Sequence, residues 1–140
     1  MTEEPGRVLA IDLGTVRVGL ALSDPLRLTG QPLGRLDRRA LRDGFDALTD
    51  IIRDRGVSVV VVGHPLLMSG LAGERAADAE KFADRLRAAV PIPVVLWDER
   101  LTTVIAERAL VEGNVRRKAR REVVDAAAAA LLLQSWLDAQ

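Results

Sequence analysis

The chain has 140 residues, of which 49% are apolar and 29% charged, and its 20 basic and 20 acidic side chains give a formal net charge of zero. This composition is typical of an ordered globular protein and excludes a disordered tail. The absence of cysteine excludes disulfides, zinc sites with cysteine ligands and thiol nucleophiles. From the length we expect a single domain over residues 1–140.

Neither the first residues nor the longest apolar run has the pattern expected of a targeting or membrane segment. The first six residues are acidic and polar, the reverse of the basic and then apolar start of a signal peptide. The longest apolar run, residues 126–133, is far shorter than the about 18 to 20 residues that span a bilayer. We therefore expect a cytoplasmic protein with no membrane partner.

The first third of the chain predicts three strands. Apolar runs at 7–13 and 17–23 are joined by a tight turn at Gly14 and Thr15, so the two strands should pair antiparallel. A short third strand is predicted at 33–36. Together these segments indicate an antiparallel meander.

The rest of the chain alternates helices with strands. Apolar residues at helical spacing predict a helix over 39–55, with Gly56 at its C-cap. The later elements are predicted as a strand at 57–62, a helix at 74–89, a strand at 91–97 and helices at 102–110 and 122–138. This order predicts an α/β fold with a mixed five-stranded sheet, the meander followed by parallel strands, and helices on both faces.

Three acidic residues lie at the ends of such elements. Asp12 ends the first strand, Glu99 follows the last strand, and Asp125 opens the predicted C-terminal helix. Carboxylates beside apolar runs are costly to bury, and a divalent metal ion is the strongest candidate for holding them ionised. If the three converge, the arrangement suits metal-assisted hydrolysis of phosphodiester bonds.

Each acid also has a local explanation. Asp12 could be a turn carboxylate that accepts backbone hydrogen bonds. Asp98 and Glu99 could favour a helix N-terminus, as could Asp125. Because side chains alternate along a strand, only one of the adjacent pair can enter a given site, and we prefer Glu99. Glu122 is a further candidate ligand, although an exposed glutamate in the first helical turn is the simpler interpretation.

The basic residues are unevenly distributed. Residues 116–121 hold five cations in six positions, which favours contacts with phosphates. A second basic group at 35–42 is diluted by acids and fits either phosphate contacts or a solvated surface. The only histidine, His64, follows glycine and precedes proline and is interpreted as structural, and Trp97 and Trp136 as packing residues.

Four blocks of the sequence, residues 11–24, 62–70, 98–103 and 124–134, resemble the YqgF family, also called RuvX. The resemblance covers nearly the whole chain, and the block Asp-Glu-Arg-Leu-Thr-Thr at 98–103 is its most specific part. This chain departs from the usual family pattern at Val16, His64 and Ser69, none of which is one of the three acids.

The resemblance implies an RNase H-like fold related to the RuvC Holliday junction resolvase, and a nuclease that matures the 5′ end of pre-16S ribosomal RNA. It makes Asp12, Glu99 and Asp125 the catalytic acids that bind Mg²⁺ or Mn²⁺. The residues expected to hold the phosphates of the nucleic acid are Arg17, Arg100, Arg116, Arg117, Lys118, Arg120 and Arg121.

The sequence thus predicts a metal-dependent endonuclease that acts on structured nucleic acid, either pre-16S rRNA or branched DNA. A homodimer is expected if a four-way junction is the target, because the junction has two symmetric cutting sites. Two other classes stay open. One is a nucleotide binder of the sugar-kinase or actin type, since residues 12–15 also match its phosphate-binding turn, and the other is a non-catalytic factor that binds RNA or the transcription machinery.

Overall fold

The structure, a computed structural model, describes residues 5–66, 69–70, 73–99 and 117–140, with the backbone alone for 117–125. Five strands form one sheet: β1 (Arg7–Leu13), β2 (Arg17–Ser23), β3 (Gly30–Asp37), β4 (Val57–His64) and β5 (Val94–Asp98). The helices are a 3₁₀ helix (Arg38–Leu41), α1 (Asp46–Arg55), α2 (Glu74–Ala89) and α3 (Arg117–Asp138). No helix within the described ranges is long and apolar enough to cross a membrane.

The sheet has the strand order β3-β2-β1-β4-β5. The pairs β1–β2 and β2–β3 are antiparallel, and the pairs β1–β4 and β4–β5 are parallel. The predicted mixed five-stranded sheet, a meander followed by parallel strands, is confirmed. The carboxyl ends of β1, β4 and β5 therefore lie along one edge, which is where open α/β sheets bind their ligands.

The alternation of side chains along the strands divides the core into two layers. Leu9 and Ile11 of β1 pack in the layer with α1 and α2, whereas Val8 and Ala10 pack in the layer with α3. Both layers consist of side chains that are almost fully buried, and burial of each large apolar side chain contributes about 1.5 to 3 kcal/mol. Helices thus cover both faces, as predicted, and the face that a residue occupies follows from its position in the strand.

The predicted helix over 39–55 is wrong in its first part. A 3₁₀ helix occupies Arg38–Leu41, and its first turn is capped by the side chain of Asp37, which accepts a hydrogen bond from the backbone N–H of Arg39. The α-helix begins only at Asp46, after Asp43 and Gly44, which are poor helix formers. The strand before it, β3, is longer than predicted because it pairs with β2 along the whole length of β2.

The C-terminal helix begins earlier than predicted, at Arg117 instead of residue 122. Apolar periodicity starts near 122, but the preceding arginines, lysine and alanine are good helix formers and extend the helix backwards. Asp125 is therefore more than two turns inside α3, beyond the first turn in which the helix dipole favours an acid. The predicted helix over 102–110 lies outside the described residues.

Gly56 ends α1 in the left-handed conformation, with φ 65° and ψ 44°, and its N–H donates to the carbonyl of Ile52. No heavy atom would obstruct a Cβ at this position, so a substitution tests the backbone conformation alone. We expect Gly56→Ala to lower the free energy of unfolding by about 1 kcal/mol. Chemical denaturation at neutral pH measures this effect, and an unchanged midpoint would contradict the conformational argument.

Candidate active site

Three positions at the carboxyl edge of the sheet share the face that α3 covers. Asp12 continues the alternation of Val8 and Ala10 in β1, and Gly63 continues that of Val59 and Val61 in β4. Glu99 follows Val95 and Trp97 of β5 in the same way. The sheet itself therefore directs Asp12 and Glu99 to one side of one edge.

Glu99 lies against the backbone of β4. Its side chain is 7% exposed, and its backbone N–H donates to the carbonyl of His64 at 3.4 Å. Gly63 makes room for the carboxyl group, because a Cβ built there would overlap Oε2 of Glu99 and lie 3.2 Å from Cδ2 of Leu132. A side chain at position 63 would therefore displace the Glu99 carboxyl group from this position.

The two carboxyl groups interact directly, and this changes the acidity of Glu99. Burial, then the negative charge of Asp12 and a hydrogen bond with it, raise the pKa of Glu99 from 4.5 to about 8. Arg75 acts in the opposite direction, and Asp98 adds a smaller repulsion. Two carboxyl groups can share a hydrogen bond only if one carries a proton, so at neutral pH the pair holds a proton that a cation could replace.

The preference for Glu99 over its neighbour follows from the same alternation. Asp98 is the last residue of β5 and its side chain is exposed, whereas Glu99 is buried beside Asp12. The structure thus brings together two of the three acids suggested by the sequence. Among the side chains that the structure describes, no group of three potential metal ligands is formed.

The side chains of Asp125 and Glu122 lie outside the described residues, but the backbone of α3 is placed. Leu132 lies next to Gly63 at the edge that carries Glu99. Asp125 precedes Leu132 by seven residues, which is two turns or about 10 Å along the helix axis. The proposed role of Asp125 as a third metal ligand stays a prediction.

Of the predicted phosphate-binding residues, Arg17 is the one whose side chain is described. It lines a small cleft of about 410 Å³ together with Gly14, Thr15, Val16 and Arg75. Sequence reasoning missed Arg75, although an arginine in the first turn of a helix that follows a glycine-containing loop is a usable signal. The others lie outside the described residues, either entirely or in their side chains: Arg100, Arg116, Arg117, Lys118, Arg120 and Arg121.

His64 and the two tryptophans have structural contacts. Nε2 of His64 lies 2.9 Å from Oε1 of Glu80 in α2, which ties the end of β4 to that helix. Trp136 is buried, and the indole N–H of Trp97 donates to Oγ of Ser135 at 3.1 Å. These packing and positioning roles agree with the interpretation from sequence.

The close approach at Gly63 yields a test of the site that leaves the acids in place. We expect Gly63→Ala to reduce the nuclease activity that the sequence predicts by about 10²-fold, because a displacement of about 1 Å in a catalytic group has an effect of that order. The atom in the way is the end of a flexible side chain, so the melting temperature should fall only slightly. Full activity in Gly63→Ala would show that the position of the Glu99 carboxyl group is unimportant.

Comparison with known proteins identifies relatives of this chain. A family model described as RuvX, Holliday junction resolvase, matches residues 6–139. A protein of Geobacillus thermodenitrificans named "Putative pre-16S rRNA nuclease" is 47% identical over 136 residues, covering 96% of this chain and 99% of the relative. A protein of the same name from Roseiflexus is 41% identical and covers 100% and 99% of the two chains.

Two solved structures are similar in fold. Yeast mitochondrial Holliday junction resolvase Ydc2 has a TM-score of 0.53 at 13% identity, covering 98% of this chain and 80% of that one. RuvC of T. thermophilus in complex with a Holliday junction substrate has a TM-score of 0.50 at 18% identity, covering 90% of each chain. The RNase H-like fold is thereby confirmed. With the family match over nearly the whole sequence, the chain belongs to the RuvX family.

Proposed function

We propose that this protein is a divalent-metal-dependent endonuclease that hydrolyses phosphodiester bonds in structured nucleic acid. The observation that carries the proposal is the pair formed by Asp12 and Glu99, two carboxyl groups held together at the carboxyl edge of an RNase H-like sheet. Membership of a family of nucleases and resolvases supports the reaction class.

The residues present fit Mg²⁺ or Mn²⁺. Both ions prefer hard oxygen ligands, and the buried, proton-sharing pair would gain most from a cation that replaces the proton. Asp12 and Glu99 would hold the metal, with Asp125 as the proposed third ligand from α3. When bound, such an ion polarises the phosphate and lowers the pKa of water.

The remaining roles belong to the protein itself. The backbone of β4 and the absence of a side chain at Gly63 position the Glu99 carboxyl group, and the His64 carbonyl fixes the backbone that carries it. Arg75 contributes positive charge near Glu99 and, with Arg17, lines a cleft beside the turn after β1. These two arginines would stabilise the negative charge of a phosphodiester group bound beside the acids.

The substrate is either the 5′ end of pre-16S rRNA or a Holliday junction. The relatives are named for a nuclease that acts on pre-16S rRNA, and the family description names a Holliday junction resolvase. For a four-way junction, a homodimer would place two active sites on the two symmetric strands.

The test is a side-by-side cutting assay. Purified full-length protein is incubated with a pre-16S leader RNA fragment and with a synthetic four-way DNA junction, each with Mg²⁺, with Mn²⁺ and with EDTA. We expect metal-dependent cutting of one substrate in preference to the other. Binding of either probe without cutting in both metals would favour a non-catalytic binding factor, and stabilisation by ATP without binding of either probe would favour a nucleotide binder.

A further inference from the structure

A second, larger cleft of about 530 Å³ opens on the face of the sheet that α1 and α2 cover, opposite α3. Its floor is formed by the buried side chains of Leu41 and Phe82. Five of the residues that line it are basic and two, Asp37 and Asp78, are acidic. The basic ones are Arg38, Arg39, Arg42, Lys81 and Arg85.

Two of these cations hold the cleft in shape. Arg38 donates to Asp78 at 2.5 Å and to the carbonyl of Gly14 at 3.1 Å, which joins the turn after β1 to α2. Arg85 donates to the carbonyl of Arg42 at 3.1 Å and lies over the ring of Phe45 at 4.9 Å. Both side chains interact with groups of the protein itself, so their role is to shape the cleft and not to bind a ligand.

The other three cations are available to a ligand. Arg39, Arg42 and Lys81 are exposed, and none of them forms an ion pair with any residue in the described ranges. They come from two separate elements, the segment of the 3₁₀ helix and α2, and meet around one concavity. Like charges gathered in this way repel one another, and an anionic ligand removes that repulsion.

This cleft is continuous with the surface next to the acids. It shares Thr15 and Val16 with the smaller cleft, and the smaller cleft contains Arg75, whose charge acts on Glu99. Val16 is 61% exposed at the tip of the turn between the two clefts. Arg17 and Arg75 of the smaller cleft and the cations of the larger cleft therefore lie on the two sides of the turn after β1.

We infer that the cleft formed by Arg39, Arg42 and Lys81 binds the phosphodiester backbone of the nucleic-acid substrate where it continues past the cutting site. This inference rests on the proposed function and adds the path that the nucleic-acid strand takes over the protein surface. A polyanion with regularly spaced charges fits several separated cations better than a single small anion does. Such contacts position the substrate and carry no information about base sequence.

The test compares two variants that remove the same charge. Arg42→Ala/Lys81→Ala removes two cations of the cleft, and Arg53→Ala/Arg55→Ala removes two exposed arginines near the end of α1, at the opposite edge of the sheet. Binding of fluorescent pre-16S leader RNA and of a four-way junction is measured by anisotropy in EDTA, over a range of salt concentrations. Circular dichroism and thermal melting check that both variants are folded.

We expect the slope of log affinity against log salt to become shallower by about 2 for the cleft variant, one for each lost phosphate contact. This corresponds to about a hundredfold greater loss of affinity at 0.1 M than at 1 M salt. The control variant should keep the wild-type slope, and equal slopes in the two variants would overturn the inference.

The outcomes separate the two proposals. If the wild-type protein cuts with Mg²⁺ while the cleft variant binds with the wild-type salt dependence, the inference about the cleft fails alone. If binding depends on the cleft but no substrate is cut in either metal, the proposed catalysis fails alone. If the wild-type protein binds neither probe, both fail.

Discussion

Asp12→Asn should abolish metal-dependent cutting, with a loss of about 10³-fold or more, while leaving the metal-free protein at least as stable as the wild type. Asparagine keeps the shape of the side chain but removes the negative charge that repels Glu99 and raises its pKa. Without that charge, the site binds a divalent cation weakly, and phosphodiester hydrolysis loses its main electrostatic support. A lower pKa of Glu99 reduces the free-energy cost of keeping this group protonated in the folded state, which should stabilise that state by on the order of 1 kcal/mol near neutral pH.

Two measurements on the same sample check this prediction, the rate of cutting in Mg²⁺ and the thermal melt in EDTA. Glu99→Gln should lose cutting to the same extent. Asp98→Asn is the matched control, because it neutralises the adjacent but exposed acid. Loss of cutting in the control as severe as in Glu99→Gln, or cutting retained in Asp12→Asn, would remove the basis for the carboxylate pair.

The architecture could be predicted from the sequence because its signals are local and strong. β-branched and apolar runs fixed the number of strands, and the alternation of strands and helices after a tight turn predicted the mixed sheet. The predicted boundaries of elements were wrong where strand pairing or side-chain capping determines where an element begins or ends. β3 extends because β2 offers a partner along its whole length, and Asp37 caps a 3₁₀ helix where apolar spacing suggested an α-helix.

Part of the candidate site could also be predicted, because the positions of Asp12 and Glu99 follow from local sequence patterns. The period of two along a strand selects Glu99 over Asp98, and this choice needs no structure. The steric role of Gly63 depends on two strands paired in register, with Gly63 beside Trp97, and is invisible in the sequence. Likewise, the sequence does not show that Lys81, about 40 residues further along the chain, lines the same cleft as the basic group at 35–42. The role of Asp125 stays a prediction.

The metal-free protein should lose stability as the pH rises from about 5 to about 8, against the trend of most carboxylates. The pKa of Glu99 is about 8 in the folded protein and near 4.5 in the unfolded chain. Below pH 4.5 the group is neutral in both states, and its contribution is fully present. Between these two values the unfolded chain releases the proton and the folded protein keeps it, so the contribution falls, by at most about 5 kcal/mol.

Chemical denaturation in EDTA at several pH values measures this loss, and Glu99→Gln supplies the baseline because glutamine does not titrate. The difference between the two proteins should shrink to nothing below about pH 4.5 and reach its limit above about pH 8. Added Mg²⁺ should stabilise the wild type more as the pH rises, because the cation no longer competes with the shared proton. A wild-type profile parallel to that of Glu99→Gln would mean that Glu99 titrates normally and that burial beside Asp12 does not prepare it for a metal ion.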